Sequence, residues 1–150
     1  MNFASIDLGT NTFRLLVANL HDHNEIEFLH KKSTVCALGR GFNTLDRTLS
    51  YGSINRCLKV IKEFNQILTD FNVNNLRAVA TSIVRQSTNS HLFTVPAANI
   101  LNNKIEVISG KNEAELTTLG VLNSIDNIAN NKLIVDIGGG STEFAFVDKY

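Results

Sequence analysis

The sequence has no excess of either charge: fourteen Lys and Arg stand against fourteen Asp and Glu. That removes the net positive field by which proteins hold nucleic acid or an anionic membrane surface. An anionic ligand must therefore be bound by local geometry. Cysteine is scarce, with only Cys36 and Cys57, and the pair lacks CxxC spacing and any neighbouring His or Cys cluster. Nothing in that spacing points to a disulfide framework or a zinc site, and reduced, buried or half-buried thiols are expected. No apolar run approaches the roughly 20 residues that cross a bilayer; the longest candidates, Leu15 to Leu20 and Leu133 to Ile137, are strand-sized. Met1 runs straight into a strand-like segment without a basic leader, so no signal peptide is expected and the cytoplasm is the expected compartment. What is present is an ordinary folding composition. With 150 residues, 43% hydrophobic and 19% charged, the chain has room for one domain and the start of another, and global disorder is excluded.

The first thirty-odd residues read as three strands, FASIDL, TFRLLVANL and EIEFLHKKSTV, punctuated at Gly9–Asn11 and Asp22–Asn24. Short links between successive strands predict an antiparallel meander. Gly39 and Gly41 mark a loop, and apolar residues at 54, 58, 60, 61, 64, 67, 68 and 71 predict a helix over 54–71. A strand over 76–80, a helix over 89–101, a strand over 105–108 and a helix over 113–128 follow; the single proline, Pro96, would start, kink or divide the second of these helices. Segments 133–137 and 142–147 predict a further hairpin around a glycine triplet. The order βββαβαβα followed by ββ implies a mixed α/β sheet with helices on its faces.

That second hairpin repeats the first. IDLGTNTFRLLVA at 6–18 and VDIGGGSTEFAFV at 135–147 share apolar–Asp–apolar–Gly–x–x–small spacing ahead of an apolar strand, which points to duplication. A domain over 1–128 and the beginning of a second over 129–150 are predicted, and a fragment of a longer protein is expected because only two strands of the second copy fit. Each hairpin sets an Asp at the end of a buried strand ahead of a turn rich in Gly, Thr, Asn and Ser. Gly9, Thr10, Asn11 and Thr12 in one turn, and Gly138, Gly139, Gly140, Ser141 and Thr142 in the other, offer backbone N–H groups and hydroxyls to phosphate oxygens. Asp7 and Asp136 repel phosphate directly but suit Mg²⁺ or another divalent cation that bridges to it. A single such turn reads equally well as a plain hairpin; a matched pair facing across a cleft does not.

DLGTNTFRLLVA, ATSIVRQSTN, ISGKNEAELTTLGV and LIVDIGGGSTEF, in this order, resemble the exopolyphosphatase / guanosine pentaphosphate phosphatase family of the acetate and sugar kinase, heat-shock ATPase and actin superfamily, over nearly all of residues 3–147. The resemblance implies two lobes of ribonuclease H-like fold with substrate phosphates in the cleft between them. It implies Mg²⁺-dependent release of the terminal phosphate of inorganic polyphosphate or of the 5′-phosphate of guanosine pentaphosphate, with a homodimer compatible and no nucleic-acid or membrane partner expected. Glu113, after ISGKN, takes the family's general-base position, the alternative being a helix-capping partner of Ser109 or Gly110. Arg85 matches the Arg of the ATS-x-x-R motif, with a surface ion pair as its bland reading. Glu143 matches an acidic position near metal and attacking water, or is a solvated strand residue. Departures from the family pattern are Ala37 in place of an Arg, Asn112 in place of an acid and Glu115 in place of an Arg; Arg40, Arg14 and the Lys31–Lys32 pair are the candidate replacement cations. Two other readings are a non-catalytic module that senses these polyanions and a phosphotransferase from the same superfamily. The 150 residues alone are expected to be weakly active or inactive.

Overall fold

In the computed structural model, which describes residues 1–21, 25–125 and 131–148, strict alternation decides the first sheet. Along β1 (Asn2–Leu8) and β2 (Thr12–Leu20), Ala4, Ile6, Leu8, Phe13, Leu15 and Val17 are buried on one face while Ser5, Asp7 and Arg14 take the other. β2 also pairs antiparallel with β3 (Ile26–Val35), with a register irregularity at Val17/Ala18. The turn at 22–24 lies outside the described residues, as does His23.

α1 (Tyr51–Asp70) starts where the Ser50 side chain accepts a hydrogen bond from the Ser53 amide, three residues ahead of the predicted start. Its Ile54, Cys57, Val60, Ile61, Phe64 and Leu68 are buried in the core with the inward face of the sheet. Helix α1 carries the chain to β4 (Asn75–Ala80), which pairs parallel to β1; α3 (His91–Leu101) then carries it to β5 (Ile105–Val107), parallel to β4. Between them the structure adds a five-residue helix, α2 (Ser82–Gln86), absent from the predicted order. Pro96 neither starts nor divides α3, which runs through it. The resulting order β3-β2-β1-β4-β5 is the mixed α/β sheet expected. Phe13, Phe64 and Phe93 are fully buried, Phe13 and Phe93 with ring centroids 5.8 Å apart; each such side chain stabilises the fold by roughly 1.5–3 kcal/mol. Cys36 and Cys57 are free, buried thiols, as expected.

α4 (Gly110–Leu122) is capped by the Ser109 hydroxyl, which accepts from the Asn112 amide, and so begins three residues before the predicted start. The predicted continuation through residues 126–128, and the predicted domain boundary at 128/129, lie outside the described residues. β6 (Lys132–Ile137) and β7 (Thr142–Val147) form the second, two-stranded sheet. Their register pairs Leu133 with Phe146 and Val135 with Phe144 on an exposed apolar face, while α4 packs against the hairpin. Among the described residues no helix is long and apolar enough to cross a membrane.

Candidate functional site

The C-terminal ends of parallel strands are where an open α/β sheet offers a crevice, and β1, β4 and β5 all end at one place. The Thr81 amide donates to the Leu8 carbonyl at 3.4 Å and the Ile108 amide to the Ala80 carbonyl at 3.1 Å. The second hairpin closes over this edge. A Cβ placed on Gly140 would lie 2.5 Å from Thr10 Oγ1 and 3.1 Å from Ser82 Oγ; one on Gly139 would lie 3.2 Å from Asn11 Cβ. Only glycine lets the two turns meet this closely. The Ser82 hydroxyl ties the second turn to α2, donating to the Gly140 carbonyl at 2.9 Å while it accepts from Gln86 Nε2 at 2.7 Å.

The turns enclose a cleft of about 320 Å³. Eleven of the residues predicted from sequence line it: Asp7, Gly9, Thr10, Asn11 and Thr12 from the first turn, Asp136, Gly138, Gly139, Gly140 and Ser141 from the second, and Glu113 between them. Arg85 and Glu143 stand just behind, where a Cβ on Gly110 would approach Arg85 Nη2 at 3.8 Å and Glu143 Oε1 at 3.9 Å. Thr142 is exposed at the start of β7 and does not line the cleft. Of the candidate cations, Arg14 lines the cleft; Arg40 does not, Lys32 pairs with Glu63 of α1 and Lys31 lies over the Phe28 ring.

Residues 36–39 form a strap behind the first turn. The Cys36 and Ala37 amides donate to the Asn11 carbonyl at 3.0 and 2.8 Å, and the Gly39 amide donates to the Thr10 carbonyl at 3.0 Å. Ala37 takes φ 50° to do so, and the Arg56 guanidinium donates to the Cys36 and Ala37 carbonyls at 2.6 and 2.7 Å.

At the start of α4 the Asn112 amide donates to the Ser109 hydroxyl and the Glu113 amide to the Ser109 carbonyl, while the Glu113 side chain turns away from the cap. Its carboxylate instead lies 3.3 Å from Arg85 Nη1, which also donates to the Ile108 carbonyl at 2.6 Å. Burial holds the Glu113 carboxyl above the ordinary glutamate value; the Glu143 charge adds to the shift and Arg85 opposes it. Burial also raises the Asp7 carboxyl, opposed by Arg14 at 3.1 Å and reinforced by Asp136. Asp136 receives the Thr117 hydroxyl at 2.8 Å. Sequence reasoning gave no role to Thr81, Ser82 or Thr117, although Thr81 and Ser82 lie in the ATSIVRQSTN segment and Thr117 in ISGKNEAELTTLGV, one helical turn after Glu113.

The donor set for a cation is all oxygen. Among the described residues no three His, Cys, Asp or Glu side chains close into a cage, which argues against a zinc centre with three or four protein ligands. A hard cation that keeps waters and takes one or two carboxylates plus substrate phosphates fits. Asp136 and Glu143 are direct cross-strand partners and could supply that pair; Asp7 is shared with Arg14.

The model of the Ppx/GppA phosphatase family matches residues 16–150. The chain is 38% identical over 148 residues to a bifunctional 3-dehydroquinate synthase/phosphatase of Fusobacterium nucleatum, covering 94% of this chain and 22% of that protein. It is 34% identical over 141 residues to a guanosine-5′-triphosphate,3′-diphosphate pyrophosphatase of Pseudoalteromonas atlantica, covering 94% and 27%. An exopolyphosphatase crystal structure from Cytophaga hutchinsonii superposes with TM-score 0.92 at 31% identity, over 99% of this chain and 47% of that one. The chain thus spans well under two thirds of the length of each of these relatives.

Proposed function

Because this chain belongs to the Ppx/GppA phosphatase family, we propose that it carries the water-activating and phosphate-binding parts of a cytoplasmic phosphohydrolase that releases terminal phosphate from inorganic polyphosphate or the 5′-phosphate from guanosine pentaphosphate. The observation that carries the reading is Glu113, a carboxylate held above its ordinary range, set in a cleft between two glycine-rich turns with Arg85 at 3.3 Å. A carboxylate of that kind is a better proton acceptor than an exposed glutamate.

In this reading the turn amides and the Thr10, Thr12 and Ser141 hydroxyls hold the terminal phosphoryl group, and Arg85 offers a guanidinium both to phosphate oxygens and to Glu113. Glu113 takes a proton from a water as its oxygen bonds to phosphorus; the bridging P–O bond breaks and its electron pair leaves on the shortened chain or nucleotide. Positioning and electrostatic stabilisation supply most of the acceleration in such a transfer. Mg²⁺ held by Asp136 and Glu143, with Asp7 beside them, would neutralise the phosphate charge.

The test is Mg²⁺-dependent orthophosphate release from long-chain polyphosphate and from guanosine pentaphosphate, with the protein expressed from its complete natural gene. Glu113→Gln should lower kcat by at least about 100-fold. Release that persists in that variant overturns the role of Glu113, and tight binding of either polyanion without release overturns the hydrolase in favour of a binding module.

A further inference from the structure

The two strand-end aspartates of the repeat are held differently. Asp7 meets a guanidinium, Arg14 Nη1 at 3.1 Å. Asp136 meets a hydroxyl, Thr117 Oγ1 at 2.8 Å, and among the described residues no other hydrogen bond reaches its carboxylate. A guanidinium orients a carboxylate and cancels its charge; a hydroxyl orients it and leaves the charge in place. Thr117 lies one turn after Glu113 on α4, so both side chains fall on one helix face. Resting on the reading of Asp136 as a cation-holding carboxylate, we infer that Thr117 is a positioning residue: its hydroxyl fixes Oδ2 of Asp136, leaves Oδ1 for a divalent cation, and locks the second turn in register with the helix that bears Glu113.

The experiment is titration of Mn²⁺ into the protein expressed from its complete natural gene, without substrate, by calorimetry and by the loss of the free-ion paramagnetic resonance signal. Thr117→Val keeps the shape and removes the donor, Thr117→Ser keeps the donor, and Thr117→Ala serves in place of Val should Val disturb the helix, as judged by circular dichroism. Removing a partner that orients a metal-holding carboxylate typically weakens affinity 10–100-fold. A loss of about 10-fold or more in Val or Ala, with Ser close to the parent, is the result expected. Parent-like affinity in Val and Ala, together with loss in Asp136→Asn, overturns the role of Thr117 alone. Equal weakening in Ser and Val also overturns it, since the methyl rather than the hydroxyl would then matter. Parent-like affinity in Asp136→Asn, or no Mn²⁺ binding by the parent, overturns the cation reading beneath it.

Discussion

In the first turn Asp7 faces Arg14 across the β1–β2 ladder, and at the equivalent register of the second turn Asp136 faces Glu143 across β6–β7. Both hairpins follow one sequence pattern and end an apolar strand with an aspartate, yet one cross-strand pair is attractive and the other repulsive. Like charges directly opposite in an antiparallel pair are destabilising. A repeat that keeps such a pair beside a cleft gives up some folding stability and gains a concentrated negative site. The first turn, with its aspartate neutralised, is the better surface for a phosphate; the second is the better surface for a cation. The two turns share one pattern, and one position, Arg14 against Glu143, sets their charge apart.

The most drastic way to break the comparison is Glu143→Arg, which rewrites the second turn in the image of the first. It should weaken Mg²⁺ binding at least to the about 100-fold limit seen when a metal site loses an outer partner, measured by calorimetry. Affinity near that of the parent would show that the cation does not use this strand pair. A second change separates the turns without touching charge. Gly140→Ala puts a methyl 2.5 Å from Thr10 Oγ1 and should cost about 1–3 kcal/mol through overpacking, read from urea unfolding and from faster amide exchange in β6 and β7. Gly52→Ala, in a helix with nothing within 4 Å of the new methyl, is the control and should be neutral or stabilising.

Arg14→Ala gives the smallest effect, because the pair is 65% and 38% exposed and such contacts contribute at most about 1 kcal/mol. Its pH signature is the sharper readout. The folded-state Asp7 carboxyl already sits above its ordinary value, so the native chain holds that proton more tightly than the unfolded chain. The stability this contributes is present at low pH and is lost as pH rises through the folded value. Removing Arg14 takes away an opposing charge, moves that value further up and extends the decline toward neutrality. Unfolding free energies measured from the ordinary aspartate range to neutral pH would show it; a profile parallel to the parent's would mean Arg14 has no hold on Asp7.

Most of this architecture was legible in the residues because it rests on local periodicity. The alternation of Ile6, Leu8, Phe13, Leu15 and Val17 and the helical spacing from Ile54 to Leu68 each name their own buried face. Helix starts were read late: Tyr51 and Gly52, and Gly110, Lys111 and Asn112, add little to an apolar pattern, although Ser50 and Ser109 mark both caps. α2 is too short to show a period. In the site, the two turns and Glu113 were visible through the repeat and the motif order, while the bonds from Ser82 to Gly140 and from Thr117 to Asp136 join residues 58 and 19 positions apart. Ser82 and Thr117 lie in the quoted motif segments, but no local pattern says which residue each will meet. Arg14 is legible as a candidate cation, but only the ladder register sets it against Asp7.

The strap of residues 36–39 gives the first turn a property that concerns timing. The Thr10 and Asn11 carbonyls already have donors from Cys36, Ala37 and Gly39, so the backbone of this turn is paid for before any ligand arrives. A loop ordered only by its ligand gives up about 1–2 kcal/mol of entropy per residue on each arrival and regains it on departure. This one gives up little, and the thermodynamic trace of an anion docking there should be written in displaced water and ions, with the heat-capacity change of a rigid surface and no sign of coupled folding.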